Sequence, residues 1–134
     1  MSKYEMKIEL IIRQGIIANR KKYKFYKKEV IVPGLKYKNA PLRFDFSLKI
    51  NDTLVYIEVD GEQHFRKVKF FKNFEHMKEN DRRKNRYCIL NKIPLYRIPY
   101  WEVENIKSIE DLTQSRFKVK SIYHNDNLIF NSNQ

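Results

Sequence analysis

The sequence predicts one α/β (α+β) domain, a central mixed β-sheet flanked by helices. Three observations predict it. Two runs of period-two alternation, residues 42–50 and 54–60, flank an Asn51-Asp52 turn. Residues 4–18 and 74–90 place apolar side chains at helical spacing. The second of these helices lies between strand-like runs, as a crossover onto a mixed sheet does. At 134 residues the chain suits a single domain. That domain is expected over residues 1–124, with its core motifs at 41–103 and a frayed tail at 125–134.

The first helix carries Ile8, Ile11, Ile12, Gly15 and Ile16 on one stripe, and Glu5 points along it one turn earlier. Residues 20–28 then interleave six basic residues with Tyr23, Phe25 and Tyr26, without an acid. Val30–Val32 reads as a short strand stopped by Pro33-Gly34. Next, Leu42, Phe44, Phe46, Leu48 and Ile50 are expected on one strand face, with Arg43, Asp45, Ser47 and Lys49 on the other. On the following strand Val55, Ile57 and Val59 share a face, leaving Tyr56, Glu58 and Asp60 opposite. In the second helix Phe74, Met77, Asp81, Asn85 and Cys88 fall within about 80° of one another, so Asp81 sits on the core-facing stripe. Asn91 to Pro94 ends that helix, and Leu95–Ile98 reads as a third strand. A weak helix near Ile106–Leu112 and a strand over Phe117–Tyr123 complete the reading.

Composition narrows the class. The chain has 28 Lys+Arg against 16 Asp+Glu, a net charge of +12, yet its nine Tyr and nine Phe suffice to build a core that a disordered polycation lacks. No run of about 18 uncharged apolar residues suggests a membrane span. The opening Met-Ser-Lys-Tyr-Glu is not followed by the apolar stretch of a secretory signal. Cys88, the single cysteine, excludes an intramolecular disulfide or a cysteine-based zinc cluster. The expectation is a cytoplasmic domain whose basic surface meets a polyanion.

Several acids occupy positions where a carboxylate is costly: Glu5, Asp45, Glu58, Asp60 and Asp81. Glu58 and Asp60 lie side by side on one strand face, and Asp45 can lie opposite them across the hairpin. Such crowding is relieved either by Arg43 and Lys49 on a solvated face or by a divalent cation, and carboxylate oxygens suit Mg²⁺ or Mn²⁺. The cation reading is preferred because Gly61-Glu62-Gln63-His64 follows directly. It puts His64 just past the strand end, where loops hold reactive groups. His76 and His124 read as structural. For Asp81 the blander alternative is a helix charge or a core acid bonded to Asn85.

Four segments carry a resemblance. Arg43-Phe44-Asp45-Phe46, the run from Ile57 through Glu58-Val59-Asp60-Gly61-Glu62-Gln63-His64 to Phe65, Asn80-Asp81-Arg82-Arg83-Lys84-Asn85 with Tyr87-Cys88, and Leu95 to Trp101 together resemble the Vsr-like branch of the PD-(D/E)XK nucleases. The nearest likeness is to the phage-associated EDxHD endonucleases, which include homing enzymes. The resemblance covers about half the chain. It implies a restriction-endonuclease-like sheet and a metal-dependent site that hydrolyses DNA in the cytoplasm of a bacterial or phage-infected cell. The Glu, Asp, His, Asp pattern then falls on Glu5, Asp45, His64 and Asp81, with Glu9 as second choice for the helix acid. The lysine of the wider superfamily is replaced by Asp60, a departure the Vsr-like branch shares.

On this reading Asp45, Glu58 and Asp60 hold the metal, His64 moves a proton, Asp81 fixes its imidazole, Glu5 positions water, and Gln63 joins the catalytic group. Arg20, Lys21, Lys22, Lys24, Arg43, Arg66, Lys67, Lys69, Arg82 and Arg83 are the expected phosphate contacts. For Tyr23, Phe25 and Tyr26 a place in the core is preferred over stacking on bases. The alternatives are a junction resolvase acting as a dimer or a repair-type structure-selective nuclease, and a non-catalytic DNA-binding protein on the same fold.

Overall fold

Ser2 starts the first helix by accepting the Glu5 N–H at its hydroxyl (3.1 Å), the N-cap a serine three residues before an acid is suited to make. In the computed structural model, which describes residues 1–65 and 74–126, this helix is α1, Lys3–Ala18. The strands are β1 (Tyr23–Tyr37), β2 (Ala40–Ile50), β3 (Thr53–Asp60) and β4 (Leu95–Pro99). The second helix, α2, spans Phe74–Leu90, and a short α3 spans Ile109–Leu112. The sheet order is β1-β2-β3-β4, with two antiparallel pairings followed by a parallel one. It is a single α+β domain on a four-stranded mixed sheet flanked by helices.

Local chemistry explains the connections. Asn51 and Asp52 both have positive φ (49° and 67°), as the two-residue turn between β2 and β3 demands. Lys38 and Asn39 (49° and 64°) make the equivalent turn between β1 and β2. Helix α2 ends with Lys92 at φ 55°, and the Ile93 N–H reaches back to the Cys88 carbonyl at 2.9 Å.

The expected short strand at Val30–Val32 is in fact the middle of a fifteen-residue one. Pro33-Gly34 does not stop it. β1 is an edge strand, and the pair falls in a register shift between Ile31 and Lys36 where no ladder N–H is needed. Gly34, at φ 84°, supplies the conformation the irregularity requires. The lysines, the proline and the two register shifts of this edge also discourage pairing with a second copy.

Two cores sandwich the sheet. One face packs Ile8, Ile12, Phe46, Leu48, Ile57 and Ile98 between α1 and α3. The other, smaller, packs Phe44, Tyr56, Cys88, Leu95 and Val119 beneath α2. Strict alternation of β2 therefore fails: Phe46 and Leu48 face α1, but Phe44 faces α2, stacked on Tyr56 at 4.2 Å. The switch falls at Asp45, opposite Glu29 of β1, which has φ 53°.

Three other expectations change. Phe117–Tyr123 is not a strand but a 3-10 turn at Ser115–Phe117 and one isolated bridge, Tyr96 to Lys118. The weak helix shortens to α3, preceded by a 3-10 turn at Tyr100–Asn105. The tail is not frayed from its first residue, because Asn125 is only 2% exposed and hydrogen-bonded inside the protein. Residues 127–134 lie outside the described residues. Among those described, no helix is long and apolar enough to cross a membrane.

Candidate active site

The β2–β3 ladder ends at Phe46 and Ile57, and beyond that pair side chains replace it. The Asp45 N–H donates to Glu58 Oε1 (2.8 Å), and the Val59 N–H donates to Asp45 Oδ2 (2.7 Å). Each carboxylate thus caps the other strand's backbone, and the two are fixed side by side. They open into a cleft of ≈ 380 Å³, lined also by Ser2 and Glu5 of α1's start, Gln63 and His64 of the 3-10 turn Glu62–His64, and Met77 and Lys84 of α2. Lys84 Nζ sits 2.9 Å from Glu58 Oε2 and donates to the Arg43 carbonyl at the same distance.

Behind the cleft lies a buried network. His64 Nδ1 meets Asp81 Oδ2 at 2.9 Å, so Nε2 is the nitrogen left to act toward the cleft. Asp60, 0% exposed, accepts from Arg97 Nη1 at 2.8 and 3.0 Å and from Asn125 at 2.9 Å. Arg97, 1% exposed, also donates through Nε to Asn85 Oδ1 (2.8 Å). Asn125 reaches Asp81 as well, at 3.3 Å.

The electrostatics follow from these neighbours. Burial, then the Glu58 carboxylate, push the Asp45 carboxyl up to about 8; Glu5 adds to this, while the Val59 N–H and Lys84 partly offset it. Burial alone would depress His64, but Asp60 and Asp81 raise it above its ordinary value. Burial opposes ionisation of Asp81 too, yet Arg97 and His64 hold its carboxyl well below the usual range. A further carboxylate charge beside Glu58 is therefore opposed at Asp45, and the His64–Asp81 pair favours imidazolium with carboxylate.

The predicted residues separate into groups. Glu5, Asp45, Glu58, Gln63 and His64 line the cleft, and Asp81 backs His64. Glu9 does not reach it: the Tyr26 hydroxyl (2.7 Å) and Lys28 (3.4 Å) hold it elsewhere. Asp60, expected beside Asp45 and Glu58 as a metal ligand, is turned away into the network. Its oxygen, Asp81's and the His64 nitrogen lie within 4.8 Å of one another, close enough for one ion. Arg97 already supplies positive charge there, so that trio reads as a hydrogen-bonded support. The alternative for Asp81, a core acid bonded to Asn85, does not hold among the described residues, Asn85 being taken by Arg97 and the Ile122 carbonyl. The cations that meet the acids are Lys84 and Arg97, not Arg43 and Lys49.

Of the expected phosphate contacts, Arg20, Lys21, Lys24 and Arg43 are exposed and Lys22 is half-buried. Arg82 pairs with Asp126 (3.1 Å), and Arg83 pairs with Glu79 (3.2 Å) and lies over Tyr37. Arg66, Lys67 and Lys69 lie outside the described residues. Tyr23 is buried and Tyr26 stacks on Phe46, but Phe25 is exposed, against the expectation of a core place for all of them. His76 packs on Tyr37 at 4.7 Å.

Lys84, Arg97 and Asn125 join the site beyond the residues expected there. Lys84 carried a signal, since it lies one helical turn from Asp81, about 60° round the same stripe. Arg97 and Asn125 carried none, because nothing local marks their long-range partners. No protein-family model, curated protein or solved structure matches the chain.

The shifts give the metal-free protein a characteristic pH dependence. Asp45's folded pKa exceeds its unfolded value of about 3.9, so its stabilising contribution is whole below that pH and is lost as pH rises through about 8. His64 acts in the same sense above about pH 6.5. Asp81 acts oppositely, losing its contribution only in acid, below about pH 4. Stability is expected to fall between about pH 5 and pH 8, by up to about 1.4 kcal/mol per pH unit for each titrating group. Urea unfolding across that range checks this, with Asp45→Asn giving a flatter profile and exceeding the parent at the upper end.

Proposed function

We propose that the chain is a metal-dependent DNA endonuclease, similar in its site to the Vsr-like, EDxHD-type nucleases. One observation carries the reading: Asp45, Glu58 and Glu5 converge in a single cleft with a His64 imidazole tethered by Asp81. The donor set suits a hard divalent cation, because burial and then the neighbouring Glu58 and Glu5 oppose the charge on Asp45, and a cation would relieve that opposition. Asp45 and Glu58, with Glu5 across the cleft, would hold Mg²⁺ or Mn²⁺. The bound ion would polarise the scissile phosphate and lower the pKa of a coordinated water.

The protein's own groups divide the remaining work. His64, held as imidazolium by Asp60 and Asp81, donates a proton from Nε2 to the leaving oxygen. Asp81 keeps Nδ1–H pointed at itself and so fixes the ring. Lys84 neutralises Glu58 and presents a cation to the phosphate. Glu5, at the mouth of α1, orients water. Exposed Arg20, Lys21, Lys24 and Arg43 grip the backbone without reading sequence.

The test is plasmid nicking with Mg²⁺ or Mn²⁺, followed by a panel of duplex, mismatched, four-way-junction and single-stranded substrates. Absence of metal-dependent cleavage on every substrate, with salt-sensitive binding retained, would replace the reading with a non-catalytic DNA-binding protein. Preference for junctions by a stable dimer would make it a resolvase. Metal binding is expected to show separately in melting curves. Mn²⁺ at about a hundred times its dissociation constant stabilises by about 2.7 kcal/mol, raising the parent's melting temperature but not that of Asp45→Asn.

A further inference from the structure

Phe25 stands apart from every other aromatic of the basic segment. Lys24 pairs with Lys49 and Lys27 with Ser47, so Phe25 and Tyr26 together oppose the single residue Leu48. This is a β-bulge, a device that re-aims a side chain. Tyr26 turns inward onto Phe46, while Phe25 turns outward and is 68% exposed. Its φ is +57°, a conformation that costs a bulky L-residue energy and that asparagine or glycine would adopt more easily. An exposed aromatic held in a strained backbone is placed there at the expense of stability, which points to use.

The surroundings say what the use is. Phe25 lines a groove of ≈ 330 Å³ with Tyr56, Leu54, Val30 and Ser47, and Lys27 and Lys49 complete the lining without any acid. Lys49 Nζ lies over the Phe25 ring, 5.4 Å from its centre. Exposed Lys24 adjoins the bulge in the chain. A flat apolar surface rimmed by ammonium groups complements a nucleobase and its phosphates, whose charge is opposite. The groove and the cleft share strand β3: Tyr56 lines the groove, and Glu58, two residues on and about 7 Å further along the same strand face, lines the cleft.

We propose that this groove is a subsite for one unpaired base of the DNA strand, stacked on Phe25 with its phosphates on Lys27 and Lys49. The proposal rests on the nuclease reading for its choice of DNA, and it adds that the substrate presents an unstacked or single-stranded base beside the cut.

The experiment uses metal-free protein, so that binding is read without cleavage. The probe is a fluorescein-labelled single strand of about twelve nucleotides carrying 2-aminopurine, with the matching duplex beside it. The parent is expected to change the 2-aminopurine fluorescence on binding. Phe25→Ala is expected to weaken single-strand binding about tenfold and abolish that change, while Phe25→Trp keeps both. Lys49→Ala is expected to reduce the salt slope by about one. Phe25→Gly suits the positive φ, so its melting temperature should match or exceed the parent's while its binding falls as for Ala. Unchanged affinity and fluorescence in Phe25→Ala overturns the proposal. So does a parent dimer that dissociates in Phe25→Ala, since the groove would then hold a second copy. The two readings fail separately: Phe25-dependent stacking without plasmid nicking overturns only the nuclease, and nicking with Phe25-independent binding overturns only the groove.

Discussion

Asp45→Asn protein is expected to nick plasmid at least about 10³-fold more slowly than the parent, and His64→Ala about 10²- to 10⁴-fold more slowly. The first change keeps the Val59 hydrogen bond, because an amide oxygen accepts as a carboxylate does, and removes only the charge that a divalent cation requires. It also removes an acid whose ionisation burial and Glu58 oppose, so the inactive variant is expected to be at least as stable as the parent. Loss of cutting together with gain of stability separates a functional acid from a structural one. Glu9→Gln serves as the control. Its carboxylate answers Tyr26 and Lys28 away from the cleft, and nicking is expected to stay within about twofold of the parent. Cutting by Asp45→Asn at the parental rate would remove Asp45 from the chemistry.

The largest expected effect on stability is at Arg97. Its guanidinium lies within 4 Å of Glu58, Asp60 and Asp81 and donates to Asn85, all in the interior. Arg97→Met fills similar volume but leaves these buried acids without their shared cation, at a cost of about 3–5 kcal/mol. Against a typical total of about 5–15 kcal/mol that is a large fraction. Without Arg97, burial at Asp81 loses its largest opposing charge and its carboxyl rises, so the variant's stability is retained in mild acid and lost as pH rises. Urea unfolding near pH 5 and pH 8 measures this, and Asp60→Asn in the Arg97→Met background is expected to recover part of the loss. A variant as stable as the parent at both pH values would mean that Lys84 and Asn125 suffice to hold the acids.

Much of this arrangement could be read along the chain where the cause is local. Asn51-Asp52 announces a hairpin, and period two puts Glu58 and Asp60 on one face opposite Val59. Helical spacing turns Asp81 inward, where it is buried. Period two misleads at Phe44, because a face switch in β2 depends on the matching irregularity at Glu29 of β1, a partner that alternation does not contain. Pro33-Gly34 misleads similarly, since a proline's missing donor matters only if the strand is internal, and sheet order is not a local property. Glu58 and Asp60 share a face but not a role. Lys84 comes to one from α2, while Arg97 and Asn125 come to the other from β4 and the chain's far end.

The face that α2 turns to the sheet is mostly polar: Lys78, Asp81, Lys84 and Asn85 accompany Cys88. Such a helix gains little from approaching the sheet by apolar attraction, and its charges lose their water unless every counterpart is already in register. Docking of α2 is therefore expected to become favourable only once β3 and β4 are paired, with Arg97 between Asp60 and Asp81. The cleft with its tethered imidazole would then be the last part of the fold to be completed. A newly made chain that has folded only its hairpins and α1 has no tethered imidazole and no Lys84 beside Glu58. On the nuclease function proposed above, cleavage would await the completed fold, and half-finished copies would leave DNA intact.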